Sequence, residues 1–304
     1  VHIPDAMLHG AICPVTAAVS VLGVAGASYI ALKSPTKPTA TQFGTVSALI
    51  FAGQMMNFPI AAGTSGHLLG GVLASALMGY PFGILALALV VTIQSLMFAD
   101  GGLSVLGSNI LNMALIGAGL GGIIHATLIK KSTSMGFNYF YLGIAAWISV
   151  LLAAAAVSFE LAISGTIAFT EVITAMLSTH MLIGLGEALI TVSGCWLLVR
   201  TKNNVESNNW NIITPLMASM IIALMLSPFA SGFPDGLEWV AAKYQFLHQS
   251  APTFVAPLAD YTVPWLNNEI FSTGIAGLMG VVVTFGIAWF IGSLINPSSV
   301  RKLA

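Results

Sequence analysis

Long apolar runs dominate the chain, and polar residues are confined to the short interruptions between them. The runs fall at about 11–32, 42–61, 67–80, 82–98, 106–129, 138–164, 172–199, 211–228 and 272–295. Most approach the ~20 residues that an α-helix rising 1.5 Å per residue needs to cross about 30 Å of hydrocarbon. The expected fold is therefore all-α: a polytopic membrane helix bundle of about seven helices, followed by a two-helix C-terminal module. The third run is short and glycine-rich, from His67 to Gly79 before Pro81, and is expected to be a tilted or partly buried half-span.

Composition strengthens this picture. The 304 residues are 57% hydrophobic and 6% charged, with a mean hydropathy of +0.94, whereas soluble domains are about a quarter charged. The net charge of −1 gives no reason to expect a nucleic-acid partner. A cleaved signal peptide is not expected, because the first ten residues hold no Lys or Arg and Pro4-Asp5 interrupts them. Cys13 and Cys195 both sit inside apolar runs and read as small buried hydrophobes rather than as a disulfide or zinc pair.

Charge also orients the chain. With the N-terminus outside and nine crossings, Lys33, Lys37, Lys130, Lys131, Arg200, Lys202, Arg301 and Lys302 fall inside, and only Lys243 falls outside. This positive-inside asymmetry predicts a multi-pass protein of the cell (inner or plasma) membrane, N-terminus outside and C-terminus cytoplasmic. Asp5, Asp100, Glu160, Glu171, Asp235, Glu238, Asp260 and Glu269 fall on the outer face, which they make attractive to cations. The expected domains are a membrane module at 1–200, an asparagine-rich cytoplasmic linker at 201–210, and a two-span module at 211–304 with a long outer segment from Phe229 to Phe271.

The chain opens Val1-His2-Ile3-Pro4-Asp5. A free α-amine, the backbone nitrogen of residue 2 and the His2 imidazole can close two fused chelate rings on one metal, nearly in a plane because the amide is planar. One more imidazole completes a four-nitrogen square, a geometry that suits Ni(II) or Cu(II). By itself such a histidine reads equally as an ordinary exposed residue. His67, between Gly63, Gly66 and the outer end of the third run, lies on the same side as the tail. It is either a helix-end residue of the membrane mouth or a fourth nitrogen, with the glycines permitting close backbone approach.

His2-Ile3-Pro4-Asp5, Gln54-Met55-Met56-Asn57-Phe58-Pro59, Gly63-Thr64-Ser65-Gly66-His67-Leu68-Leu69-Gly70-Gly71 and Phe98-Ala99-Asp100-Gly101-Gly102-Leu103 together closely resemble the CbiM/NikM family. The likeness continues through Asn109–Met113, Phe159–Thr166 and His180–Thr191, in order, over most of residues 1–200. These are the substrate-binding membrane components of energy-coupling-factor transporters for cobalt and nickel. The resemblance implies a transported Ni(II) or Co(II) held by the terminal amine of Val1, the amide nitrogen and imidazole of His2, and the imidazole of His67. It also implies two cytoplasmic ATPase subunits and a membrane coupling subunit as partners. Two departures stand out: Val1 replaces the usual Met, and Ala6-Met7 replaces the usual Gly-Phe. Neither alters the spacing of amine, amide and imidazole, although one further residue before Val1 would.

Ser227-Pro228-Phe229, Pro234-Asp235-Gly236-Leu237-Glu238-Trp239 and Pro257-Leu258-Ala259-Asp260-Tyr261 resemble the PDGLE domain, a NikN-like accessory component, over roughly 211–295. Asp235 and Glu238 either deliver a cation to the mouth or simply form a turn.

Among the remaining polar residues, Asn57 and Asp100 are candidates for orienting the histidines, since ligating imidazoles usually donate their other N–H to a partner. Glu187 lies in mid-span, seven residues after His180, and the two are expected to form a structural pair or network. No phosphate-binding loop or activated nucleophile is present, so the chain is expected to be a non-catalytic subunit with no cofactor. The alternatives are an ion-coupled secondary transporter using Glu187, or a membrane metalloenzyme, which would need an open coordination position and a placed acid or base.

Overall fold

The computed structural model of the chain describes residues 2–61, 63–132, 134–203, 213–246 and 254–297, and those residues are almost entirely helical. Helix α1 (Ile12–Lys33) ends where Ser34 donates back to the Ala31 carbonyl at 3.2 Å and Pro35 forbids continuation. Helix α2 (Ala40–Gln54) starts on Thr39, whose hydroxyl accepts from the Gln42 amide at 3.1 Å.

The run at 42–61 is not one helix, contrary to expectation. Past Gln54 the chain leaves the helix and forms an antiparallel hairpin of β1 (Asn57–Pro59) and β2 (Ser65–His67). Asn57 pairs with His67 across the two strands. Pro59 cannot donate to a helical ladder, and Gly63, at φ 76°, takes the left-handed turn the hairpin requires. Helix α3 (Gly71–Met78) follows Gly70 at φ 75° and has eight residues, roughly 12 Å of rise, so the third run is indeed short of a crossing.

The remaining helices are α4 (Tyr80–Phe98), α5 (Leu106–Ile129), α6 (Met135–Ile163), α7 (Phe169–Asn203), α8 (Thr214–Phe229), α9 (Gly236–Lys243) and α10 (Glu269–Ile295). Six of them (α1, α4, α5, α6, α7 and α10) are long and apolar enough to cross a membrane. Two crossings are locally underwound into wider π-type turns, at Gln94–Phe98 and at Ile110–Leu120, a distortion that frequently marks functional segments.

The main core joins α2, α3, α4 and α10 through Phe43, Phe51, Leu73, Phe82, Phe98 and Val281. Close approach depends on missing side chains: a Cβ on Gly280 would overlap the Phe51 ring, and one on Gly71 would lie 2.6 Å from the Ala118 nitrogen of α5. A second cluster buries Ile3, Met7 and Leu8 of the tail against Val157 and Leu161 of α6, Met176 of α7, and Leu237 and Val240 of α9. Ile3, Met7 and Leu8 are thus packed as core, with α9 in the same cluster.

Candidate metal site

The tail reaches the site because its backbone is held like an added strand. Asn109 accepts from the Ile3 amide at 2.8 Å and donates to the Ile3 carbonyl at 3.0 Å, and the Gly102 amide reaches the same carbonyl at 2.8 Å. The Asp5 carboxylate accepts from the Ser104 amide at 3.0 Å and from its hydroxyl. Further along, the Met7 carbonyl accepts from the Thr166 hydroxyl at 2.7 Å, and the His9 amide donates to Ser164 Oγ at 2.6 Å. Ala6 stands at φ 67°, a conformation that favours glycine. The Ala-Met departure therefore keeps the backbone turn, and Met7 fills the apolar slot.

His67 arrives from the other direction. Its strand is fixed by Ser65, whose amide donates to the Pro234 carbonyl at 2.9 Å and whose hydroxyl donates to the Phe233 carbonyl at 2.8 Å. Behind it, both oxygens of Glu187 accept from the amides of Leu69 and Gly70, at 2.6 and 2.9 Å, and Gln54 Nε2 donates to the Leu69 carbonyl at 2.8 Å. Glu187 is thus a clamp on the loop that carries His67. The expected pairing with His180 does not form, since His180 Nδ1 turns to the Met176 carbonyl at 2.8 Å. Seven residues along a helix is about 10 Å, too far for direct contact.

These constraints stack the buried imidazoles of His2 and His67 with centroids 5.1 Å apart and planes 20° from parallel. Each ring has one nitrogen committed to an oxygen. His2 Nε2 donates to Gln94 Oε1 at 3.2 Å, and His67 Nδ1 donates to the Leu68 carbonyl at 3.0 Å. Each remaining nitrogen faces a carboxylate: His2 Nδ1 lies 3.2 Å from Asp100 Oδ1, and His67 Nε2 lies 3.8 Å from Asp235 Oδ2. A lone pair facing a carboxylate is repulsive unless a proton or a metal cation sits there.

Burial lowers the pKa of both histidines, so neutral rings present their lone pairs. Burial alone would raise the Asp235 carboxyl, but the positive charge of the chain's amino terminus and the hydrogen bond from the Glu238 amide act against it, and the net direction is down. The histidines, Asp100, Asp235, Asn57 and Tyr261 line a cavity of about 230 Å³.

Of the residues singled out by sequence, His2, His67 and Asp100 converge directly. Asn57 lines the cavity and pairs with His67 across the hairpin. Val1 lies outside the described residues. Asp235 and Glu238 form a reciprocal cap at the start of α9, which bears out the turn, and both also line the cavity. Sequence reading missed Gln94, Asn109 and Tyr261. The first two carry a visible signal, an amide side chain inside an apolar crossing, where polar groups are costly without a task.

Comparison with known proteins places the chain in a family. The family model for CbiM, described as the cobalt uptake substrate-specific transmembrane region, matches residues 2–205, and the PDGLE domain model matches 209–297. A protein of Archaeoglobus fulgidus, whose name describes a fused nickel transport protein NikMN, is 33% identical over 296 residues, covering 95% of this chain and 97% of that one. The cobalt transport protein CbiM of Sorangium cellulosum is 29% identical over 163 residues, covering 52% of this chain and 72% of its own. The crystal structure of a truncated transition metal transporter superposes with a TM-score of 0.59 at 27% identity, covering 66% of this chain and 99% of that one. Matched over two thirds of its length by one model and over nearly all of it by a fused relative, this multi-pass membrane protein belongs to the CbiM family and carries a PDGLE domain after its CbiM region.

Proposed function

We propose that this chain is the substrate-binding membrane component of an ATP-driven importer of Ni(II) or Co(II), with nickel favoured. The metal is held by four nitrogens: the terminal amine of Val1, the amide nitrogen of His2, Nδ1 of His2 and Nε2 of His67. The observation that carries this reading is the stacked histidine pair, with each ring's other nitrogen already bonded to an oxygen. Ligating histidines are oriented in this way. Among the described residues, no cluster of three or more His, Cys, Asp and Glu side chains could hold a metal. Backbone and terminal nitrogens complete the proposed coordination square.

Such a square favours Ni(II), and the name of the fused Archaeoglobus relative points the same way. Co(II) accepts more geometries and remains the second substrate. The amide must shed its proton to bind, so loading releases protons to water. The acidic outer residues around the cavity, Asp100, Asp235 and Glu238, concentrate cations there.

Energy comes from partner chains, two cytoplasmic ATPase subunits and a membrane coupling subunit, as in the energy-coupling-factor systems the sequence resembles. The rival reading, proton coupling through Glu187, loses support because both carboxylate oxygens are engaged by backbone amides. Uptake of radiolabelled nickel and cobalt by cells expressing this chain with its partners tests the proposal. Accumulation should require an intact ATPase subunit and should be greater for nickel. Accumulation that survives ATPase inactivation and follows the proton gradient would refute ATP-driven import.

A further inference from the structure

Tyr261 belongs to the C-terminal module, yet its side chain sits at the base of the metal site. Its hydroxyl donates to Asp100 Oδ2 at 2.6 Å and accepts from Gln94 Nε2 at 3.3 Å. Those two residues flank the two nitrogens of the His2 imidazole: Asp100 Oδ1 faces Nδ1 at 3.2 Å, and Gln94 Oε1 accepts from Nε2 at 3.2 Å. His2, Asp100, Tyr261 and Gln94 therefore form a closed ring of polar contacts, and the phenol is the link between its two arms.

The chain makes an unusual effort to put the phenol there. Asp260 and Tyr261 are consecutive non-glycine residues at φ 53° and 54°, in the left-handed region that side chains avoid. Strain of this kind persists where the surroundings over-determine it, and it gathers at functional sites. Here the surroundings are the Leu258 amide bonded to the Met97 carbonyl at 2.9 Å and the Val263 amide bonded to Ser272 Oγ at 2.7 Å. The ring itself stacks on Phe98, with centroids 4.6 Å apart and planes at 20°.

The geometry points to Tyr261 as a positioning residue of the metal site, through which the C-terminal module holds the His2 imidazole in its ligating orientation. This rests on the four-nitrogen reading given above. The phenol, by donating to Oδ2, keeps Asp100 beside the Nδ1 face. By accepting from the Gln94 amide it keeps Oε1 of that amide turned to His2, so that Nδ1 is the nitrogen offered to metal. Without the phenol both partners are free to turn, and the imidazole loses its fixed torsion.

Nickel chloride titrated calorimetrically into the full chain in detergent tests this with Tyr261→Phe, which keeps the stacked ring and removes only the hydroxyl. The expected result is a dissociation constant about 10–100-fold weaker, the range typical of groups that orient ligands. Gln94→Met, which opens the ring at its other arm, should lose a similar factor. The thermal midpoint of the metal-free Tyr261→Phe chain should match wild type. Because the phenol acts through Asp100 and Gln94 together, adding Tyr261→Phe to a chain already carrying Asp100→Ala and Gln94→Met should cost little more than those two changes alone. Wild-type affinity in Tyr261→Phe, or a further full loss in the triple variant, would overturn the assignment. His67→Ala separates the two levels of the argument. If it alone loses affinity, the site stands and the role of Tyr261 falls; if it binds as wild type, the site itself falls.

Discussion

Ala6 carries a left-handed backbone, φ 67°, in the turn that folds the tail over the site. A β-carbon there costs roughly 1–2 kcal/mol, and a glycine's extra unfolded-state freedom returns part of that. Ala6→Gly is therefore expected to stabilise the metal-free chain by about 1 kcal/mol, read as a higher thermal midpoint in detergent, with metal affinity unchanged or slightly tighter. A lower midpoint would mean that the methyl group makes a favourable contact. The two histidines that the structure brings together were legible from sequence because the chemistry expected of them depends on position 2 of a chain and on a glycine-flanked loop. The groups that orient them were not. Gln94 and Asn109 are visible as polar residues in apolar crossings, but which backbone or ring each one meets depends on tertiary placement, and Tyr261 lies over 160 residues from the histidine-holding Asp100 it bonds.

At the scale of elements, most helices followed from length and hydropathy, since a run that spans the hydrocarbon has little alternative to a helix. The misread stretch, 42–61, is where that argument lapses. Its last residues are apolar but sit at the rim, and there Asn57, Pro59 and Gly63 impose a hairpin instead. The π-type turns of α4 and α5 leave no mark in periodicity over five to eleven residues.

Close packing of α3 on α5 has a consequence for the site, because α3 begins four residues after His67. A Cβ at Gly71 would lie 2.6 Å from the backbone of Gly117 and Ala118, which cannot rotate away as a side chain could. Gly71→Val is expected to destabilise the protein by about 1–3 kcal/mol and to weaken nickel binding together with it, as α3 moves off α5 and draws the loop along. A Gly71→Val chain with wild-type midpoint and affinity would show that the two helices tolerate separation.

The whole molecule has two ends of different character. At one, the tail, the hairpin, the α4–α5 connection and the C-terminal module's segments around Asp235 and Tyr261 enclose the cavity. At the other, α1 and α10 finish together, where Lys37 Nζ donates to the Ile295 carbonyl at 3.3 Å and Asn296 Nδ2 to the Pro38 carbonyl at 3.1 Å. The lysine-bearing end is thus opposite the histidines, the arrangement an importer loading outside and releasing inside would have. The C-terminal module does not stand apart: α10 packs on α2, and α9 covers the tail.

The proposed site makes the terminal amine of Val1, with the amide and ring of His2, part of the metal's ligand set. Nickel titration of the purified chain beginning at Val1, beside His67→Ala and a form with one further residue before Val1 verified by mass spectrometry, tests it most directly. The account predicts one nickel per chain for the first and losses for the other two greater than the about 10–100-fold that orienting groups command. Unchanged affinity in the extended chain would contradict it, since the terminal amine and the second-position amide would then have no part in holding the metal.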